Sequence, residues 1–272
     1  EKEQFYLYQL TMNGRSQMGL VVCASTKDYQ ENKIKKHEFT REEKEIDRIR
    51  HVDAADANTS PIFLTYRDQE SIDALIAQWV TDHEPIYDFS SFHDVEHKVW
   101  VVDHPAIISQ LKKSFEQHVA ELYIADGHHR TESAVKVALK RKETHPTAPD
   151  EAEFNHFLAV LFPASQLAIL DYNRVVNSLI GEDFIERLAE KFVVEKVASS
   201  YKSDRPKTIG MYLKGEWYKL TVKPAFISDH PVKGLDVSLL QEHVLTPLFD
   251  IKDIRTDKRI DFIGGIRGLQ AL

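Results

Sequence analysis

The spacing of hydrophobic positions changes along the chain, and each change marks an element. Phe5 to Leu10 and Met18 to Ala24 are β-rich runs on either side of Asn13-Gly14, which predicts a hairpin at the start. Thr40 and Glu43 have the spacing of a capping box and predict a helix from about Arg41, with Ile46 and Ile49 as a thin apolar stripe. Glu42, Glu43, Lys44 and Glu45 read as its solvated face. Ser60 to Tyr66 reads as a strand opened by Pro61, and Asp68 to Trp79 as a helix with Ile72, Leu75 and Ile76 on one side. Glu96 to Asp103 reads as another strand and Pro105 to Phe115 as another helix. Tyr123 to Ala125 then end a buried strand, Asp126-Gly127 is a turn, and Ala134, Val135, Ala138 and Leu139 mark one apolar helix face.

The charged stretch from Lys140 to Glu153, with Pro146 and Pro149, reads as a surface loop or soft boundary. Beyond it, Phe154 to Pro163 and Gln166 to Val176 are strand-like, Glu182 to Phe192 is helical, and Thr208 to Leu213 with Trp217 to Val222 form a hairpin around Lys214-Gly215. Gly234 to Leu245 reads as a helix capped near Asp236, and Ile260 to Gly268 as a strand running into a glycine-rich turn. Alternating strands and helices predict an α/β or α+β fold. The division expected is residues 1–145 as one portion carrying the chemistry, with a second α+β portion over 150–272 packed on it.

Composition narrows the function classes. With 42% hydrophobic and 29% charged residues, the 272-residue chain has an ordinary globular balance, and no apolar run approaches membrane-spanning length. A formal charge of −8 argues against broad nucleic-acid binding. Cys23 stands alone within an apolar run, so it reads as a small buried hydrophobe and a cytoplasmic setting is expected. The chain starts at Glu1 without a Met and stops just after Gly264-Gly-Ile-Arg-Gly268, which suggests an excerpt of a longer protein.

The chemistry concentrates in Leu122-Tyr-Ile-Ala-Asp-Gly-His-His-Arg-Thr-Glu-Ser-Ala134. A helix opening after the glycine offers unpaired amides and the positive end of its dipole, and His128, His129 and Arg130 add donors, so an anion is expected there, phosphate above all. The plainer alternative is that Asp126 caps the helix and its neighbours are solvated. Adjacent histidines diverge by roughly 100° and share an ion poorly, and no zinc-binding spacing occurs. The Walker A ending and the Gly-x-Ser-x-Gly elbow are missing as well. His37 and Glu38 lie in a loop where side chains converge on ligands. Lys36, Asn173, Arg174 and Arg267 are further candidate contacts for an anion or substrate.

These motifs together carry a resemblance. Tyr-Ile-Ala-Asp-Gly-His-His-Arg-Thr, with Ile-Lys-Lys-His-Glu-x-Thr upstream, Pro-Ile-Phe-Leu-Thr-Tyr between, and Asp-Tyr-Asn-Arg and Asp-Phe-Ile-Gly-Gly-Ile-Arg-Gly downstream, resembles the large bacterial branch of the ParB/sulfiredoxin-like superfamily, long catalogued as a domain of unknown function. It is similar to the free-serine kinases. The resemblance runs from about Phe5 to Leu272. Members extend further at both ends, with a Pro-Tyr-Asp-Val segment before and a Pro-Pro-Lys-Ser-Thr-Trp segment after.

The resemblance implies a ParB/sulfiredoxin-like mixed sheet with flanking helices over residues 1–145. It implies a phosphotransferase acting on free L-serine or a similar small hydroxyl compound, with ATP, ADP or pyrophosphate as donor. Asp126 and Glu38 would be catalytic, Glu38 because it stands in the His-Glu-x-Thr motif. Gly127, His128, His129, Arg130 and Thr131 would hold phosphate, and Asp126 would hold Mg²⁺, a cation content with one or two protein oxygens. Sulfiredoxin-type reduction fits poorly, because His128 stands where that chemistry needs a Cys. The other reading is a non-catalytic nucleotide-binding switch of the ParB type.

Overall fold

The computed structural model describes residues 2–38, 40 and 42–272, with residues 42–44 and 93 described by backbone alone. The expected helix start at Arg41, the Glu43 half of the capping box, and the solvated face at Glu42, Glu43 and Lys44 therefore lie outside the described residues and side chains. The chain is a mixed α+β protein that divides into two compact units, residues 1–168 and 169–272.

The first unit runs β1 (Phe5–Met12), β2 (Arg15–Ser25), α1 (Thr26–Gln30), β3 (Ile34–Lys35), α2 (Glu42–Ala55), β4 (Ile62–Tyr66), α3 (Glu70–Asp82) and β5 (Tyr87–Ser91). It continues with β6 (Val95–Val102), α4 (Pro105–His118), β7 (Leu122–Asp126), α5 (His128–Thr144) and β8 (His156–Pro163). Its eight strands form one mixed sheet in the order β3-β7-β4-β8-β2-β1-β6-β5. The first hairpin turns at Asn13 and Gly14, both with positive φ (52° and 75°), which is the turn whose twist matches paired strands.

The core forms where sheet residues Leu7, Leu20, Ile62, Leu64, Tyr66, Ile124 and Phe157 meet Ile72, Ile76 and Trp79 of α3, Ile108 and Leu111 of α4, and Ala134 of α5. Each side chain of this kind contributes about 1.5–3 kcal/mol when fully buried.

Strand β8 explains why the units divide later than the composition suggested. It lies between β4 and β2, parallel to the first and antiparallel to the second, so residues beyond 150 complete the first sheet. Cys23 corrects another expectation, because it is exposed. Along β2, Met18, Leu20, Val22 and Ala24 pack into the core while Cys23 points to the opposite face. On α5 the buried residues are His128, Thr131, Ser133, Ala134, Val135, Val137 and Ala138, whereas Leu139 is 46% exposed. Helix α2 packs against α5 through Glu45, whose backbone carbonyl accepts the Ser133 hydroxyl at 3.3 Å. Glu45 is itself buried rather than solvated, because Lys136 and Thr40 donate to its carboxylate and hold it below the usual carboxyl range.

The second unit runs β9 (Tyr172–Val176), α6 (Phe184–Lys191), β10 (Phe192–Val197), β11 (Thr208–Leu213), β12 (Glu216–Val222), α7 (Asp236–Leu240), α8 (Thr246–Phe249) and β13 (Ile260–Gly264). A three-stranded sheet β10-β12-β11 is covered by Phe184, Leu188, Leu239 and Val244, and β13 pairs with β9. The run from Gln166 to Val176 is strand only from Tyr172 onward. Asp236 does not cap its helix; it accepts the backbone N–H of Lys207 at 2.9 Å, and a π turn at Gln241–Leu245 joins α7 to α8. No described helix is long and apolar enough to cross a membrane.

Candidate functional site

The site begins with an irregularity in the β4–β7 ladder. Thr65 faces Tyr123 and Leu64 faces Ile124, but Phe63 faces Asp126, so Ala125 is an extra residue in β7. Regular alternation would put Asp126 on the same inward face as Ile124. The bulge breaks the alternation, and Ala125 and Asp126 are both exposed at the end of the strand.

Gly127 follows with φ +99°, ψ 27°, a left-handed conformation that lets the chain turn straight into α5. Thr131 closes this turn: its N–H and its hydroxyl both donate to the Gly127 carbonyl, at 2.9 and 3.0 Å, and its side chain is fully buried. The alternative in which Asp126 caps the helix does not occur. Gly127 is the N-cap, and Asp126 instead accepts from the Arg130 guanidinium at 2.6 Å. The other arm of Arg130 donates to the Pro61 carbonyl at 2.9 Å, tying the turn to the entry of β4.

Three successive turns of α5 hold the loop that carries Glu38. His128 lies 3.7 Å from the Glu38 carboxylate, Glu132 accepts the Tyr29 hydroxyl at 2.5 Å and lies 3.7 Å from Lys36, and Lys136 pairs with Glu45. Residues 128, 132 and 136 follow the i, i+4 spacing of one helix face. Lys36 also donates to the Tyr29 hydroxyl at 3.2 Å, so it serves this ladder. His37 stacks edge-on against His128 at 4.4 Å and donates its backbone N–H toward His128 Nε2 at 3.5 Å. His128 is buried, and burial first, then His37, pushes its ring below the usual histidine range. A neutral ring whose Nε2 accepts from His37 carries its proton on Nδ1, the nitrogen that faces Glu38.

These residues open onto a cleft of about 710 Å³ lined by Glu38, Asp47, Arg48, Ser60, Asp126, Gly127, His128, His129 and Arg130. Six of the nine are candidates from the sequence. Asp47, Arg48 and Ser60 are not, because the first two sit inside a charge-rich helix and the third opens a run that reads as a scaffold strand, where nothing distinguishes it as a ligand contact. A smaller hollow of about 420 Å³ between α3 and α4 is lined by serine, glutamine, alanine, leucine and one lysine; it contains no carboxylate or imidazole for acid–base work.

Asn173, Arg174 and Arg267 belong to the second unit. Arg174 donates to the Tyr172 carbonyl at 3.0 Å and stacks over the Phe262 ring, the Asn173 amide nitrogen is buried without a hydrogen-bond partner among the described residues, and Arg267 is exposed on a short turn. Among the described residues, no group of three or more His, Cys, Asp or Glu side chains is placed to hold a metal. Asp126 has one oxygen on Arg130 and a largely exposed carboxylate, which suits a Mg²⁺ held mainly by a ligand's phosphates.

No curated protein and no solved structure matches the chain. One family profile does, over residues 1–238, and by that match the chain belongs to the family described as protein of unknown function, DUF1015.

Proposed function

We propose that the protein is a metal-dependent phosphotransferase that phosphorylates free L-serine or a similar small hydroxyl compound, with ATP, ADP or pyrophosphate as donor. A ParB/sulfiredoxin-like origin of the first unit belongs to the same reading and rests on the motifs. The observation that carries the proposal is the convergence of two carboxylates, Glu38 and Asp126, on the cleft at the start of α5.

Phosphoryl transfer to an alcohol needs positioning and charge neutralisation more than covalent chemistry. The transferred phosphate would sit against the first amides of α5, where the helix lacks intrahelical acceptors and its dipole is positive. Glu38, 59% exposed and steadied by His128, would take the hydroxyl proton as the alcohol oxygen bonds to phosphorus and the bond to the donor's bridging oxygen breaks. Mg²⁺, when bound by Asp126 and the donor, would supply positive charge to the leaving phosphate. A carboxylate held at the mouth of the phosphate site has a task in an enzyme and none in a nucleotide switch. Incubating the full chain with L-serine, Mg²⁺ and each donor in turn tests the reading by mass spectrometry. Phosphoserine with at least one donor is expected; no phosphorylated product from serine or any other small hydroxyl compound would refute it.

A further inference from the structure

Two charged residues of the cleft have no partner among the described residues. Arg130 is held by Asp126 and Pro61, Glu38 faces His128, and His129 is engaged. Among the described residues, no hydrogen bond or ion pair fixes Asp47 or Arg48, although both are exposed and both line the cleft. Their position is nevertheless set, because Ser133 and Lys136 of α5 grip Glu45 two residues before Asp47. Glu45 is also the natural i−3 partner of Arg48, and its carboxylate is already taken by Lys136 and Thr40. Neighbouring helix positions diverge by about 100°, so Asp47 and Arg48 satisfy each other poorly.

A cation beside an anion on one wall, neither paired among the described residues, complements a ligand that carries both charges. A wall meant for phosphate alone would gain nothing from Asp47, whose charge repels the anion. We propose that Arg48 and Asp47 form the recognition site for the head group of an α-amino acid: Arg48 forks onto the α-carboxylate and Asp47 takes the α-ammonium. The proposal rests on the phosphotransferase reading of the same cleft and names the part of the acceptor that selects it. It makes Arg48, not the engaged Arg130, the side chain that meets the acceptor's carboxylate.

The test uses the full chain, Arg48→Gln and Asp47→Asn, with L-serine, ethanolamine (no carboxylate) and D-glycerate (no ammonium). Binding of each compound is measured without donor by ligand-observed NMR, KM is measured with the active donor, and pyrophosphate affinity by calorimetry. Arg48→Gln should raise KM for L-serine by about tenfold or more, the scale of a lost hydrogen bond to a charged group, while leaving ethanolamine unchanged. Asp47→Asn should do the same for L-serine while leaving D-glycerate unchanged. Pyrophosphate affinity should hold in both, and so should the unfolding midpoints of these exposed-site variants. Unchanged serine binding and KM in both variants overturns the pair and leaves phosphotransfer standing. A matching loss of pyrophosphate affinity in Arg48→Gln overturns it differently, by assigning Arg48 to the donor. Serine binding that depends on Arg48 and Asp47 in a protein that transfers no phosphate keeps the pair and discards the transfer reading. A wild type that does not bind serine discards the pair, and it discards the transfer reading too only if no other small hydroxyl compound is phosphorylated.

Discussion

The Nδ1 atom of His128 lies 3.7 Å from a carboxylate oxygen of Glu38, and its Nε2 lies 3.5 Å from the backbone nitrogen of His37. The buried ring thus links two neighbouring residues of one loop to the first residue of α5. The 3.7 Å approach is longer than a hydrogen bond, so the neutral His128 steadies Glu38 by the dipole of its Nδ1–H and by position, and leaves its oxygens open to the cleft. Replacing Glu38 with Gln keeps the shape and removes the proton acceptor. Phosphoserine formation should fall by about 10²–10⁴-fold, the usual contribution of acid–base catalysis, with donor affinity little changed. Parallel loss of turnover and donor binding would make Glu38 a binding residue instead.

The same ring should make stability depend on pH. Burial pushes folded His128 below its ordinary value, while the unfolded ring protonates near pH 6.5, about the model-peptide value. Just below that pH the unfolded state binds more protons, so stability rises with pH through this window. The contribution is complete above about pH 6.5 and is lost as the pH falls towards the folded value. Urea unfolding of wild type and His128→Gln across this range should show a shallower pH dependence in the variant. Identical slopes would mean that His128 is not buried neutral.

Gly127 and Arg130 are coupled by space. A Cβ on Gly127 would lie 3.2 Å from both Nε and Nη2 of Arg130, and the φ of +99° is strained for any other residue. Gly127→Ala should lower stability by about 1–2 kcal/mol, the cost of a left-handed residue with a side chain. Thermal unfolding reads this directly, and a variant as stable as wild type would mean that the turn is not left-handed.

Arg130→Ala removes the tie to Pro61 and leaves the Asp126 carboxylate uncompensated at the cleft wall. Because the pair is partly exposed, the stability loss should be small, about 1 kcal/mol. Pyrophosphate affinity measured by calorimetry should fall as well, through repulsion from Asp126. Unchanged affinity would separate this corner of the cleft from the anion site.

The exposure of Cys23 gives a chemical check on the register of β2. The folded protein should react with one equivalent of a thiol reagent without denaturant, since the chain holds a single cysteine. Cys23→Ser should change stability by no more than about 0.5 kcal/mol, as surface substitutions do. A thiol that reacts only after unfolding would place Cys23 on the core face.

Much of this fold was legible as period. The alternation in Ile62-Phe-Leu-Thr-Tyr66, the Asn13-Gly14 turn and the strand–glycine–helix passage at Leu122 to Ala134 each depend on neighbours in sequence, and each appears where its local pattern puts it. What a linear pattern hides is pairing at a distance. Glu45 reads as solvent-facing because Lys136, ninety-one residues away, is invisible to its surroundings in sequence. Cys23 reads as buried because a run of apolar residues does not say which of its two faces is covered. Asp47 and Arg48 look like helix solubility charges until the fold brings them to the cleft that Asp126 also lines.

The extra residue at Ala125 gives the sheet a hold over the chemistry. Deleting Ala125 would restore an unbroken ladder between β4 and β7, with Asp126 following Ile124 directly and facing away from Ile124 and Leu64, on the side of Phe63. A shortened β7 would lose the bend and extra twist that the bulge adds just before Gly127, so the length of this strand bears on the aim of the site as much as the identity of the residue at its end.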